Sequence, residues 1–142
     1  MDAVLFSKEI PGMRMEQVRR ANPFEMKELH AHAFWEIYYL LEGECVYFID
    51  GRSYALRQGA FVFVGTNVLH RTLAERHERM LVELDPAALA DFGMPLELLE
   101  QNASVAVQLT APQQRQVEAL LRCITESLRE EAPRYAARVR LY

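Results

Sequence analysis

Three histidines and one glutamate stand at spacings that let them meet. His30 and His32 are two residues apart, Glu36 follows four residues later, and His70 lies well downstream. In an extended strand the side chains at i and i+2 leave by the same face, so His30 and His32 aim at one place. Glu36 keeps their parity, and its carboxylate faces the same interior if the strand runs unbroken or a bulge absorbs one step. Three neutral imidazoles with one carboxylate form a donor set for Zn, Fe, Mn, Ni or Cu, with coordination positions left for water or a ligand. The same four residues also suit a hydrogen-bonded polar network or the floor of a binding pocket, and all three uses stay open at this point. Bringing His70 onto the other three takes a closed or nearly closed β structure.

The chain reads as such a structure. Segments 3–7 and 13–19 are short strands split by the turn dipeptide Pro11-Gly12, and Asn22-Pro23 ends the second. Aromatic and β-branched residues make 35–41 a central strand. Glu42-Gly43 then reads as a tight turn, 45–49 as the return strand, Asp50-Gly51 as a hairpin and 52–57 as a third strand. With two-residue loops, Glu36 faces Ile49, Tyr38 faces Tyr47 and Tyr47 faces Tyr54, so three tyrosines join the face of Glu36. Such a wall suits a sugar or a small aromatic ligand, and equally a core of packed rings. Arg52 suits an acidic ligand or an exposed hairpin position. Cys45 reads as a buried thiol. Gln58-Gly59 turns the chain into 60–64, Gly65-Thr66-Asn67 turns it again, and 68–73 carries His70. A charged loop over 75–79, with His77 in solvent, precedes a strand at 80–84. Eight or nine short strands are the count expected of a sandwich or barrel.

After Asp85 the composition shifts to helix. Asp85-Pro86 opens a short helix over 86–92, a helical or irregular piece covers 94–100, and 105–109 is a last strand. Thr110-Ala111-Pro112-Gln113 matches a capping box, and the helix it opens runs over 112–131. Val117, Leu120, Leu121, Ile124 and Leu128 recur on one side of it and charged residues on the other. Pro133 stops it. A further helical pattern begins at Tyr135 and the chain ends within it, which reads as a fragment of something longer.

With 142 residues the chain is long enough to bury one core without disulfides, and Cys45 and Cys123 lack a metal or redox spacing. No signal segment or membrane-length apolar run is present, which fits a cytoplasmic protein with no membrane partner. A net charge of −4 and a pI near 5.6 exclude a large nucleic-acid footprint on this chain itself.

The spacing His30-x-His32-x3-Glu36-x6-Gly43, answered by Gly59-x5-Gly65-x4-His70, resembles the two motifs of the cupin superfamily. The resemblance implies a mainly β fold, a cupin double-stranded β-helix or jelly-roll barrel, followed here by C-terminal α-helices. It also implies a metal held by His30, His32, Glu36 and His70. The sequence departs from the family at Phe24, Gly65, Asn67 and Ala74, where a glycine, a proline, a glycine and an asparagine are usual. The run from Phe34 to Gly43, the stretch around Asp50-Gly51, the turn Gln58-Gly59, the ending Val68-Leu69-His70-Arg71 and the helical tail look like the N-terminal sensor domain of AraC-type transcription regulators. That resemblance implies a sensor barrel over 1–109 and a dimerisation segment over 110–142, truncated before a DNA-binding region. The expected function is therefore an effector-binding and dimerisation domain rather than an enzyme. Its ligand site is expected at His30, His32, Glu36, Tyr38, Tyr47, Tyr54 and His70. Its partners are a small-molecule effector, a second copy through 112–131, and DNA only through a region missing from this chain. The alternative is a metal-dependent cupin enzyme, a dioxygenase or an isomerase.

Overall fold

The computed structural model describes residues 2–25, 28–91, 97, 100 and 104–129. The chain forms two units, 1–108 and 109–142. The first opens with β1 (Ala3–Ile10) and β2 (Met13–Arg20), antiparallel about the Pro11-Gly12 turn. A short β3 (Phe24–Glu25) follows, then β4 (Trp35–Ile49), β5 (Arg52–Arg57), β6 (Ala60–Val64), β7 (His70–Leu84), the helix α1 (Pro86–Asp91) and β8 (Val105–Gln108). All pairings are antiparallel, in the order β1-β2-β7-β4-β6-β8, with β3 on β7 and β5 on β4. Asp50 and Gly51 both take the left-handed conformation that a two-residue hairpin needs, so β4 and β5 pair with Tyr47 opposite Tyr54. The core is the inner face of this sheet: Tyr38, Leu40, Cys45, Tyr47, Ile49, Leu56, Ala60, Val62, Val64 and Ala74.

Two expectations fail at the long strands. Glu42-Gly43 does not reverse the chain, because 35–41 and 45–49 are halves of one strand, β4, that stays paired to β7 along its length. Gly43 has φ +94°, and a Cβ there would lie 2.5 Å from the Arg76 carbonyl oxygen. One left-handed residue kinks a strand without turning it back. An extra residue on β4 between Leu40 and Glu42 is matched by an extra residue on β7 between Ala74 and His77, so register is regained at Cys45 opposite Ala74. Tyr38 therefore does not pair with Tyr47, nor Glu36 with Ile49; Glu36 lies between Val64 and Glu83.

The charged stretch 75–79 is not a loop either, since it lies inside β7. Two of its charges are met across the ladder: Gln17 Nε2 and Arg19 Nε donate to Glu78 at 3.0 and 2.8 Å, and Arg79 Nη2 donates to Glu16 at 2.9 Å. His77 is buried opposite Gly43 and Arg20 rather than solvated. Polarity alone suggested a loop, but a neighbouring strand of matching charge removes the cost of pairing such residues.

Asp85 caps α1, its Oδ1 accepting from Ala87 N at 2.9 Å. In the second unit, α2 (Ala111–Arg129) opens on the expected capping box: Thr110 N donates to Gln113 Oε1 at 3.0 Å and Gln113 N to Thr110 Oγ1 at 3.4 Å. Along α2, Leu121 and Leu128 are buried, whereas Leu120 is 46 % exposed. The piece at 94–100, apart from positions 97 and 100, and the pattern from Tyr135 lie outside the described residues.

Candidate metal centre

The backbone brings the histidines together before their side chains do. His30 N donates to His70 O at 3.1 Å and His70 N to His30 O at 2.9 Å, a bridge that zips the segment before β4 onto the start of β7. Asn67 N donates to His32 O at 2.7 Å and ties down the next turn. The segment bends at Ala33 and Phe34 before β4 starts at Trp35, so the two histidines and Glu36 do not ride one unbroken strand. The ladder toward His70 supplies the register that the broken strand does not. The ring centroids of His30 and His70 are 4.1 Å apart, and those of His32 and His70 4.8 Å. One nitrogen from each of His30, His32 and His70 falls within 4.8 Å of the others, so the three are positioned to hold a metal ion.

Protonation supports that use. His32 Nδ1 lies 2.9 Å from Phe34 O, and His70 Nδ1 lies 2.9 Å from Val68 O. A carbonyl oxygen only accepts, so each Nδ1 carries the proton and each neutral ring keeps its lone pair on Nε2. Both Nε2 atoms are buried without a hydrogen-bond partner, and both face Glu36: 3.3 Å from Oε1 for His32, 3.6 Å from Oε2 for His70. Lone pairs on imidazole and carboxylate repel unless a cation or a proton stands among them. The donor set thus fits a metal on the chemistry of its orphaned atoms. Burial disfavours the Glu36 carboxylate, yet His32, His70 and Tyr47 outweigh it and hold the carboxyl below its usual range. Burial likewise opposes a proton on His32, but Glu36 raises its pKa overall, while at His70 burial prevails and lowers it.

Phe34 stacks on His32 at 3.8 Å between ring centroids, with the planes 4° apart, and fixes that imidazole. Tyr47 donates to Glu36 Oε2 at 3.0 Å and holds the carboxylate from the other side. Tyr38 lies edge-on to Tyr47 at 5.2 Å and turns its hydroxyl to Cys45 Sγ at 3.9 Å. Both tyrosines are buried, which pushes their phenols well above the usual range, and Tyr54 is half-buried against the same cluster. Cys45 is buried as its sequence context suggested, and burial pushes its thiol up to about 11. Arg52 is exposed in the hairpin.

Sequence reasoning missed a second set of polar residues on the same face. Directly paired residues share a face of the sheet, and three rungs run across β2, β7 and β4: Arg14, Glu83 and Glu36; Glu16, Leu81 and Tyr38; Val18, Arg79 and Leu40. Arg14 bonds to Glu83 at 3.1 Å and to Glu16, and Arg79 bonds to Glu16. Arg79 Nη1 is buried with no partner. Burial and the nearby Glu36 and Glu16 raise the Glu83 carboxyl against the pull of Arg14. The alternation Arg14, Glu16 and Val18 carried the signal, but only the β2–β7 register shows which way that face points.

Residues 19–85 match the cupin domain family. The fold is that of a cupin. Among solved structures, this chain aligns with a cupin superfamily protein from Desulfitobacterium hafniense DCB-2 (TM-score 0.52, 15 % identity), over 60 % of this chain and 76 % of that one. A provisionally assigned mannose-6-phosphate isomerase from Ralstonia eutropha JMP134 aligns over 60 % of this chain and 83 % of its own (TM-score 0.50, 17 % identity). The AraC-like transcriptional activator CuxR aligns over 94 % of this chain and 51 % of its own (TM-score 0.67, 16 % identity). No curated protein matches the chain. No described helix is long and apolar enough to cross a membrane.

Proposed function

We propose that this chain is the effector-binding and dimerisation module of a cytoplasmic AraC-type transcription regulator, whose barrel takes a small molecule beside a bound transition metal. The observation that carries the reading is the extent of likeness to the AraC-like activator, which continues past the barrel through the helical unit and uses about half of that protein's length. DNA contact belongs to a region outside this chain, in keeping with its net charge of −4. His30, His32, Glu36 and His70 hold the metal, and Zn, Fe, Mn and Ni all suit the donor set. Tyr38, Tyr47 and Tyr54 border the ligand. The effector shifts the regulator only as far as it binds one arrangement of barrel and helix better than the other.

Dimerisation runs through α2. Leu120 is the large apolar side chain of that helix left to a partner, so Leu120→Glu is expected to turn a dimer into a monomer in light scattering at micromolar concentration. A wild-type monomer, or a dimer indifferent to the charge, speaks against the assignment. One observation favours a second reading, a metal-dependent dioxygenase or isomerase: Glu83, its carboxyl raised by burial and by Glu36, stands beside the centre as a general base would. His32→Ala separates the two. A sensor loses its ligand response and keeps its dimer, whereas an enzyme loses turnover.

A further inference from the structure

Beyond the kink at Gly43 the strands β7, β4 and β5 lie side by side, and directly paired residues share a face. Thr72 and Ala74 of β7 are buried on the inner face opposite Tyr47 and Cys45, so Arg71, Leu73 and Glu75 turn outward. Two outward rows cross the strands: Leu73, Val46 and Ala55, and beside it Arg71, Phe48 and Ser53. Glu75, Glu44 and Arg57 flank the apolar row on its other side. Leu73 is 42 % exposed, and Ala55 is exposed beside it. The Arg71 guanidinium lies 4.6 Å from the centre of the Phe48 ring, which holds it over the sheet. Among the described residues, neither Arg71 nor Glu75 makes an ion pair. Between the apolar row and the acidic one lies a depression of about 400 Å³, floored by the strands at Cys45, Leu56 and Ala74, whose side chains are buried on the other face.

Along β7 this face reads positive, apolar, negative, and the pattern is complementary to itself. A two-fold axis lying across the strands along the Leu73–Val46–Ala55 row brings two copies together face to face with their strands antiparallel. Leu73 then meets its own counterpart, and Arg71 of each copy faces Glu75 of the other, so the ion pair forms twice. The rows balance as well: Glu75, Glu44 and Arg57 leave one negative charge in excess, against the one positive charge of Arg71. Docking with the strands parallel sets Arg71 on Arg71, so charge selects the antiparallel arrangement. The stacked Phe48–Arg71 pair stands opposite the depression of the other copy.

We propose that this outer face of β7, β4 and β5 docks on the same face of a second copy, in a two-fold contact made by barrel residues and not by α2.

The test is sedimentation equilibrium on the full chain carrying Leu120→Glu, which removes the helix contact from the measurement. The barrel contact is small, so its dimer is expected at concentrations of about 0.1–1 mM. Arg71→Glu and Glu75→Arg each turn two attractions into two repulsions, so each alone is expected to weaken association about tenfold. The first variant presents two carboxylates where the second presents two guanidiniums, and an equimolar mixture of the two is expected to recover the association as a mixed dimer. Only a two-fold contact between copies is rescued in this way. If Leu120→Glu does not fold, the two reversals and their mixture are compared in the otherwise wild-type chain with the same expectations. A protein that stays monomeric over that range leaves the face to some other partner and overturns the proposal. Association that neither reversal weakens, or a mixture that associates no better than either variant alone, overturns it too.

Discussion

Tyr47→Phe isolates one bond of the centre. The hydroxyl donates to Glu36 Oε2 at 3.0 Å, while the ring packs on Tyr38 at 5.2 Å and lies parallel to His70 at 6.3 Å. Phenylalanine keeps the ring and its packing, so no cavity term enters. A hydrogen bond to a charged group contributes about 1.5–3 kcal/mol. Behind burial, which opposes ionisation, Glu36 is held ionised chiefly by His32 and His70, and Tyr47 is the smallest of the named helpers. The low end applies, about 1.5 kcal/mol for the metal-free protein in urea at pH 7. The pH dependence identifies the cause. The folded pKa of Glu36 lies below its unfolded value, so its contribution is complete above the unfolded pKa and is lost as pH falls through the folded one. The gap between wild type and Tyr47→Phe is therefore expected to be constant near neutrality and to close below the ordinary carboxylate range. Metal affinity, measured by competition with a chelator, is expected to fall by about tenfold, the lesser effect seen for groups that orient a ligand. A stability loss under about 0.5 kcal/mol, or one unchanged from pH 7 to the acid limit, refutes the reasoning.

Two further outcomes follow from the strand kink and the buried thiol. Gly43→Ala combines a left-handed backbone with a Cβ placed 2.5 Å from a carbonyl oxygen, so urea unfolding is expected to show a loss of about 3 kcal/mol or more; a loss under about 1 kcal/mol contradicts the continuous β4. Iodoacetamide at pH 8 is expected to modify half-buried Cys123 and spare Cys45, whose thiol titrates near 11. Mass spectrometry showing Cys45 alkylated at the rate found in denaturant counts against its enclosure.

The local signals were the legible part of the sequence. Asp50-Gly51, Gln58-Gly59, the 60–64 strand and the Thr110 capping box stand where their residue types put them, because each depends on neighbours in the chain. The histidine set was legible for a different reason, since its spacing survives the bend at Phe34. What the sequence concealed is non-local. Gly43 kinks rather than turns because β7 runs alongside to keep β4 paired, and Glu78 and Arg79 sit in a strand because β2 brings Arg19, Gln17 and Glu16 to them. The same ignorance of which strand neighbours which hid Arg14, Arg79 and Glu83 from the candidate site. Residue types advertise a metal, but only register reveals the charges around it.

The metal is the claim on which the reading of the histidine centre stands. Elemental analysis of the untagged chain, before and after reconstitution with zinc or cobalt, tests it most directly. The orphaned Nε2 atoms of His32 and His70 facing Glu36 predict close to one metal ion per chain, lost on His70→Ala while the β-rich circular dichroism persists. A reconstituted wild-type protein that holds no metal contradicts the account.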